Sequence, residues 1–64
     1  MKNNIKVLRA TKNLTQADLA LIAWVRRETI LFLEKWEYNP SLELAFKIAI
    51  YFDKKIEDVF FYEE

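Results

Sequence analysis

Leu14-Thr15-Gln16-Ala17-Asp18-Leu19-Ala20-Leu21-Ile22-Ala23-Trp24-Val25 is the stretch on which the fold of this chain turns. Thr15 has the character of an N-cap, because its hydroxyl can accept from a backbone N–H in the next turn. Asp18 stands in the capping-box position behind it. The pattern predicts a short helix from about Gln16 to Ile22. It breaks around Ala23 to Arg26, and a further helix resumes through Lys35 or Trp36. Two short helices separated by a tight break are the centre of the domain.

Working outward, Ile5 and Leu8 sit at i, i+3 among Lys2, Lys6, Arg9 and Lys12, which predicts a first helix over roughly 2–12. Asn13 ends it, since Asn tolerates the left-handed turn that closes helices. On the other side, Pro40 disfavours helical geometry at Asn39, so 38–40 is a loop. Ser41 caps a fourth helix with Leu42, Ala45, Ile48, Ala49 and Phe52 on its inner face. Asp53, Lys54 and Lys55 connect it to a last helix around Ile56 to Phe60, ahead of an acidic end at Glu63 and Glu64. Five helices and no strands make one all-α domain over 1–64, a compact five-helix architecture.

Composition narrows the function. The 64 residues include no Cys, His or Gly, and 53% are hydrophobic. Without Cys and His there is no disulfide framework, thiol nucleophile or usual zinc chemistry, so no metal and no cofactor is expected. The adjacent carboxylates Glu57 and Asp58 lie in a solvated acidic segment, and Ser41 and Thr29 have no His to activate them. No catalytic residue, and no small-molecule substrate, is expected. The longest apolar run, Leu19 to Val25, is seven residues, against the ~20 of a membrane span. No signal peptide is visible, and the expected location is cytoplasmic. Residues 1–36 carry seven basic and three acidic side chains, and 37–64 the reverse, a split of +4 and −4 within a neutral total.

The residues 14–20, with Arg27, Thr29-Ile30, Glu34-Lys35, Tyr38-Asn39-Pro40-Ser41-Leu42, 44–49 and 56–60, resemble the lambda-repressor-like helix-turn-helix regulators over nearly the whole chain. The resemblance implies a third helix in the DNA major groove and a homodimeric repressor paired through its C-terminal portion. It would put Gln16 near phosphate, Arg27 and Thr29 at the groove, and Lys35 and Asn39 beside the backbone, with Arg26 a further candidate DNA contact. Tyr51, Phe60, Phe61 and Tyr62 would then supply the dimer surface; the other reading puts Phe60 in the core with the rest covering it loosely, and the sequence does not separate the two.

The departures from that family lie in the same region. Trp24 stands where Gly is usual, Arg26 where a Ser or Thr cap is usual, Glu28 where Gln is common, and Leu31 and Phe32 where small or polar residues are common. Trp36 replaces Gly or Asn, and Glu37 a basic residue. Trp24 at a turn favouring positive φ should strain the backbone. Trp24, Glu28, Leu31, Phe32 and Lys35 fall at i, i+4, i+7, i+8 and i+11, a second stripe that Leu21 and Trp36 extend, opposite the inward Ile30 and Leu33. The expectation drawn from it is an engineered scaffold. Its DNA-reading face would be rebuilt into an apolar protein-binding surface, binding a protein partner or itself, with DNA binding weakened or lost. A DNA-binding repressor and a designed homo-oligomer remain open beside it.

Overall fold

The hydroxyl of Thr15 accepts from the Asp18 backbone N–H at 3.0 Å, and the Asp18 carboxylate accepts from the Thr15 N–H at 2.9 Å. This reciprocal capping box starts α2 (Gln16–Ala23) where the sequence places it. Those hydrogen bonds, backbone first, hold the Asp18 carboxyl below its ordinary pKa. Ser41 likewise caps α4 (Leu42–Tyr51), its Oγ accepting from the Leu44 N–H at 3.1 Å. In this computed structural model, which describes residues 1–62, the other helices are α1 (Ile5–Thr11), α3 (Arg27–Glu34) and α5 (Ile56–Val59). The acidic pair Glu63 and Glu64 lies outside the described residues.

Four helices end in the same way, and none of them uses glycine. Asn13, Trp24, Trp36 and Asp53 all adopt positive φ, between 55° and 63°. At each, the next residue's N–H reaches back five positions: Leu14 to Arg9, Val25 to Ala20, Glu37 to Phe32 and Lys54 to Ala49, at 2.9–3.0 Å. This is the Schellman arrangement, and Leu14 and Val25 add its apolar contact by packing on the core. The left-handed geometry anticipated at Asn13 and Trp24 is present at both.

The ends of the described chain depart from expectation: the first helix starts later, the last stops at Val59, and two short strands are present. The first helix begins at Ile5, because the Asn3 side chain intervenes: its Oδ1 accepts from the Ile5 N–H at 3.1 Å and its Nδ2 donates to the Leu33 carbonyl at 2.8 Å. Lys2–Asn3 instead form β1, paired antiparallel with β2 (Phe60–Phe61), Lys2 opposite Phe61 and Asn3 opposite Phe60. The fold is all-α apart from this two-residue ladder. It joins the two ends of the described chain, and the Asn4 N–H bonding the Val59 carbonyl at 3.1 Å continues it.

The core gathers Ile5 from α1, Leu19, Ala20 and Ala23 from α2, Ile30 and Leu33 from α3, Leu44, Ala45, Ile48 and Ala49 from α4, and Val59 and Phe60. Leu42, assigned to the inner face of the fourth helix, is exposed. Leu44 takes the core position, one turn before Ile48, because the buried arc of α4 runs through 44, 45, 48, 49 and 52. No helix among the described residues is long and apolar enough to cross a membrane.

Candidate nucleic-acid interface

The segment from α2 to α3 is a helix, a sharp turn and a second helix. Trp24 takes φ 61° and ψ 42°, and Arg26 then returns to extended geometry as the N-cap of α3. The Arg26 side chain makes no capping bond, so the first-turn N–H groups of α3 have no side-chain acceptor. Ile30 and Leu33 are fully buried and fix α3 against the core. Their burial turns Arg27, Glu28, Phe32 and Lys35 outward, with Thr29 and Leu31 half-buried beside them. The face from Arg27 to Lys35 is about 12 Å long at 1.5 Å per residue. Cations stand at both ends of it: Arg26 and Arg27 at the start, Lys35 at the finish.

A polar knot fixes the far end of α3. Glu34, with its side chain only 5% exposed, accepts from Arg9 Nε at 2.7 Å and from Arg9 Nη2 at 3.1 Å. Its Oε1 also accepts from Gln16 Nε2 at 3.1 Å, and Arg9 Nη1 donates to the Leu14 carbonyl at 2.7 Å. One carboxylate thus ties α1, the α1–α2 turn, the start of α2 and the end of α3 together. The hydrogen bond to Glu34 raises the Arg9 pKa above its ordinary value; desolvation opposes this in part, and the charge of Glu34 adds to it. Nothing in the helical periodicity points to this pair, Arg9 standing with Lys2, Lys6 and Lys12 around Ile5 and Leu8 and Glu34 beside Lys35. The pair is 25 positions apart, beyond any helical periodicity.

The remaining expected residues divide. Gln16 is half-buried with its amide nitrogen engaged by Glu34. Asn39 is exposed, but its Oδ1 accepts from the Met1 ammonium at 3.0 Å. Trp36 is drawn away from the outer stripe, because its Nε1 donates to the Asn3 carbonyl at 3.3 Å and the Lys2 ammonium lies 5.2 Å from its ring centroid. Leu21 and Trp24 are strongly exposed, and Lys47 of α4 sits 5.2 Å over the Trp24 ring. Of the C-terminal aromatics, Phe60 is in the core, as one of the two readings has it, turned inward by its place opposite Asn3 in the strand ladder and so not available as dimer surface. Tyr51 is half-buried, edge-on to Phe52 at 5.1 Å and covered by Lys12 at 4.8 Å. Phe61 and Tyr62 are exposed.

Comparison with known proteins bears on what this face is for. The family model described as helix-turn-helix matches residues 5–59. An uncharacterized HTH-type transcriptional regulator of Archaeoglobus fulgidus is 58% identical over 64 residues, covering all of this chain and 90% of its own. The uncharacterized HTH-type transcriptional regulator MJ0272 of Methanocaldococcus jannaschii is also 58% identical over 64 residues, covering all of this chain and 97% of its own. Among solved structures, the restriction-modification controller protein C.AhdI of Aeromonas hydrophila superimposes with a TM-score of 0.78 at 28% identity, over 88% of this chain and 85% of that one.

These relatives overturn the reading of an engineered scaffold with a rebuilt protein-binding face. Full-length identity at this level to proteins named HTH-type transcriptional regulators supports the DNA-binding regulator in its place. The physical ground for that reading also weakens. Trp36, hydrogen-bonded to the N-terminal strand, does not extend the stripe of Leu21, Trp24, Glu28, Leu31, Phe32 and Lys35, and Leu31 is half-buried.

Proposed function

This chain belongs to the helix-turn-helix family and has the lambda-repressor-like fold, and from that premise we propose that it is a DNA-binding transcriptional regulator. One observation carries the reading. The outward face of α3 runs between cationic ends while Ile30, Leu33 and the Glu34 knot hold the helix rigidly from behind. The major groove admits a helix of this kind, and the side chains on its outer face then meet base edges. Arg27 can take a guanine edge bidentately, Glu28 can accept from a cytosine amino group, and Phe32 can lie against a thymine methyl. Arg26, Lys35 and the exposed loop residue Asn39 suit phosphate and positioning contacts. Glu28 in this reading is a base reader, not an obstacle to binding. The domain acts as one unit over 1–64 in the cytoplasm, and it needs no catalytic step.

Selection from a random duplex library, followed by fluorescence anisotropy at several salt concentrations, tests this. One enriched site is expected, with affinity falling steeply as salt rises. Lys35→Ala should weaken all duplexes alike and lower the salt slope by about one. Arg27→Ala should relax the preference at one base position. Failure to retain any duplex at about 50 mM salt, where phosphate contacts are strong, would refute the proposal.

A further inference from the structure

The outward face of α3 carries one acid among cations. Glu28 is exposed in the first turn, following Arg26 and Arg27, with Lys35 at the far end of the face. Among the described residues it has no ion-pair or hydrogen-bond partner. Phe32 stands one turn further along and is 44% exposed, although the buried Ile30 and Leu33 already anchor the helix. At i, i+4 spacing the two side chains are neighbours, their Cβ atoms ~5–6 Å apart. A carboxylate set toward phosphates is repelled, and an apolar ring left in water gains nothing. Each therefore needs a partner inside the groove.

We propose that Glu28 and Phe32 together read one base, 5-methylcytosine, so that methylation of a cytosine in the site regulates binding. The inference rests on the DNA-binding reading above and specifies its target. The major-groove edges select the base. An ionised carboxylate only accepts, so it must meet an amino group, which cytosine and adenine present. On adenine that group lies between two acceptors, its own N7 and the O4 of the paired thymine, and both repel a carboxylate. On cytosine one neighbour is the guanine O6, and the other is the C5 position. A methyl group at C5 gives an apolar ring the contact that thymine otherwise supplies. Thymine itself sets its methyl beside an acceptor, O4, which Glu28 cannot use. The methylated cytosine thus places an amino donor beside a methyl group, and α3 places an acceptor beside an apolar ring.

Selection runs in parallel from two random duplex libraries, one built with cytosine and one with 5-methylcytosine. Anisotropy then compares the enriched site in its two forms. Methylating one cytosine of the site should tighten binding about four-fold, the worth of one buried methyl group. Phe32→Ala should abolish that ratio and keep the preference for cytosine over thymine. Glu28→Gln should move the preference at the same position to adenine, whose edge Gln meets bidentately. The circular dichroism melts of both variants should stay near wild type, since both side chains are exposed. The wild-type ratio and the Glu28→Gln shift decide the matter even if Phe32→Ala loses its fold. A site that binds equally in both forms, or a folded Phe32→Ala variant that keeps the ratio, overturns the inference and leaves the regulator standing. So does a Glu28→Gln variant that alters stability alone, because Glu28 would then serve only the start of the helix. Binding to neither library would overturn both the inference and the reading beneath it.

Discussion

Replacing Glu34 with Gln tests whether the polar knot, as well as the apolar core, holds α3 in place. The substitution keeps the volume and removes the charge. It faces an amide nitrogen toward donors on Arg9 or Gln16, both of which now meet an acceptor at 2.7–3.1 Å. Breaking a buried ion pair by removing one partner costs ~3–5 kcal/mol, since the surviving charge is stranded. Arg9 is 16% exposed and keeps the Leu14 carbonyl, which discounts the loss to about 2–3 kcal/mol. A domain of this size has only ~3–10 kcal/mol of stability, and each kcal/mol moves its melting temperature by ~4–8 °C. Glu34→Gln should therefore melt about 10–20 °C below wild type. The double variant Arg9→Met with Glu34→Leu removes both charges and refills the space. It should return to within about 1 kcal/mol of wild type, as apolar replacements of buried pairs do. Thermal and guanidinium unfolding followed by circular dichroism supply both numbers. A Glu34→Gln loss below about 1 kcal/mol, or a double variant as unstable as the single, would refute the argument that stranded charge sets the cost.

Three further outcomes follow from the same geometry. Leu33→Ala, at a fully buried position, should cost ~2–5 kcal/mol, whereas Leu21→Ala, exposed on α2, should stay within about 0.5 kcal/mol; equal losses in chemical denaturation would mean the helical phase is misassigned. Trp24→Gly should be more stable than Trp24→Ala by about 1 kcal/mol, the reverse of their helix propensities, because only Gly relieves the left-handed strain at φ 61°; a more stable Ala variant in parallel melts would refute strain at this turn. The Asp18 carboxyl has its pKa lowered on folding from an ordinary 3.8. Its contribution is thus present above that value and lost as pH falls through the folded one. Asp18→Asn should be less stable than wild type at neutral pH and converge on it in acid, and a difference that persists well below that range would contradict the capping account.

Long-range contacts supplied what the sequence reading lacked about the site. Trp36 looked like part of a surface stripe because it falls near the right phase, yet the Asn3 carbonyl, 33 positions away, takes its indole N–H. For Phe60 the sequence leaves core and dimer surface equally open, and pairing with Asn3 decides for the core. Leu42, Phe46 and Ile50 share i, i+4, i+8 spacing, and only the packing of α4 shows that this row is exposed while Leu44 and Ile48 face the core. Arg9 and Glu34 carry no sign of each other until α1 and α3 are side by side.

Local chemistry along the chain is enough to place the starts of α2 and α4 and the left-handed ends of four helices, though not the start of α1 or the end of α5. A cap and the N–H it accepts from lie three residues apart, as in Thr15 with Asp18 and Ser41 with Leu44. A left-handed closure depends on its own residue, the four before it and the one after. Such interactions are complete within six residues of chain, so the order of residues suffices to predict them. Which face of each helix is covered, which polar groups meet, and how the two ends of the described chain form a strand pair are settled by packing alone. Burial depends on how the helices are packed around one another, and a periodic pattern gives the stripe without saying what lies against it.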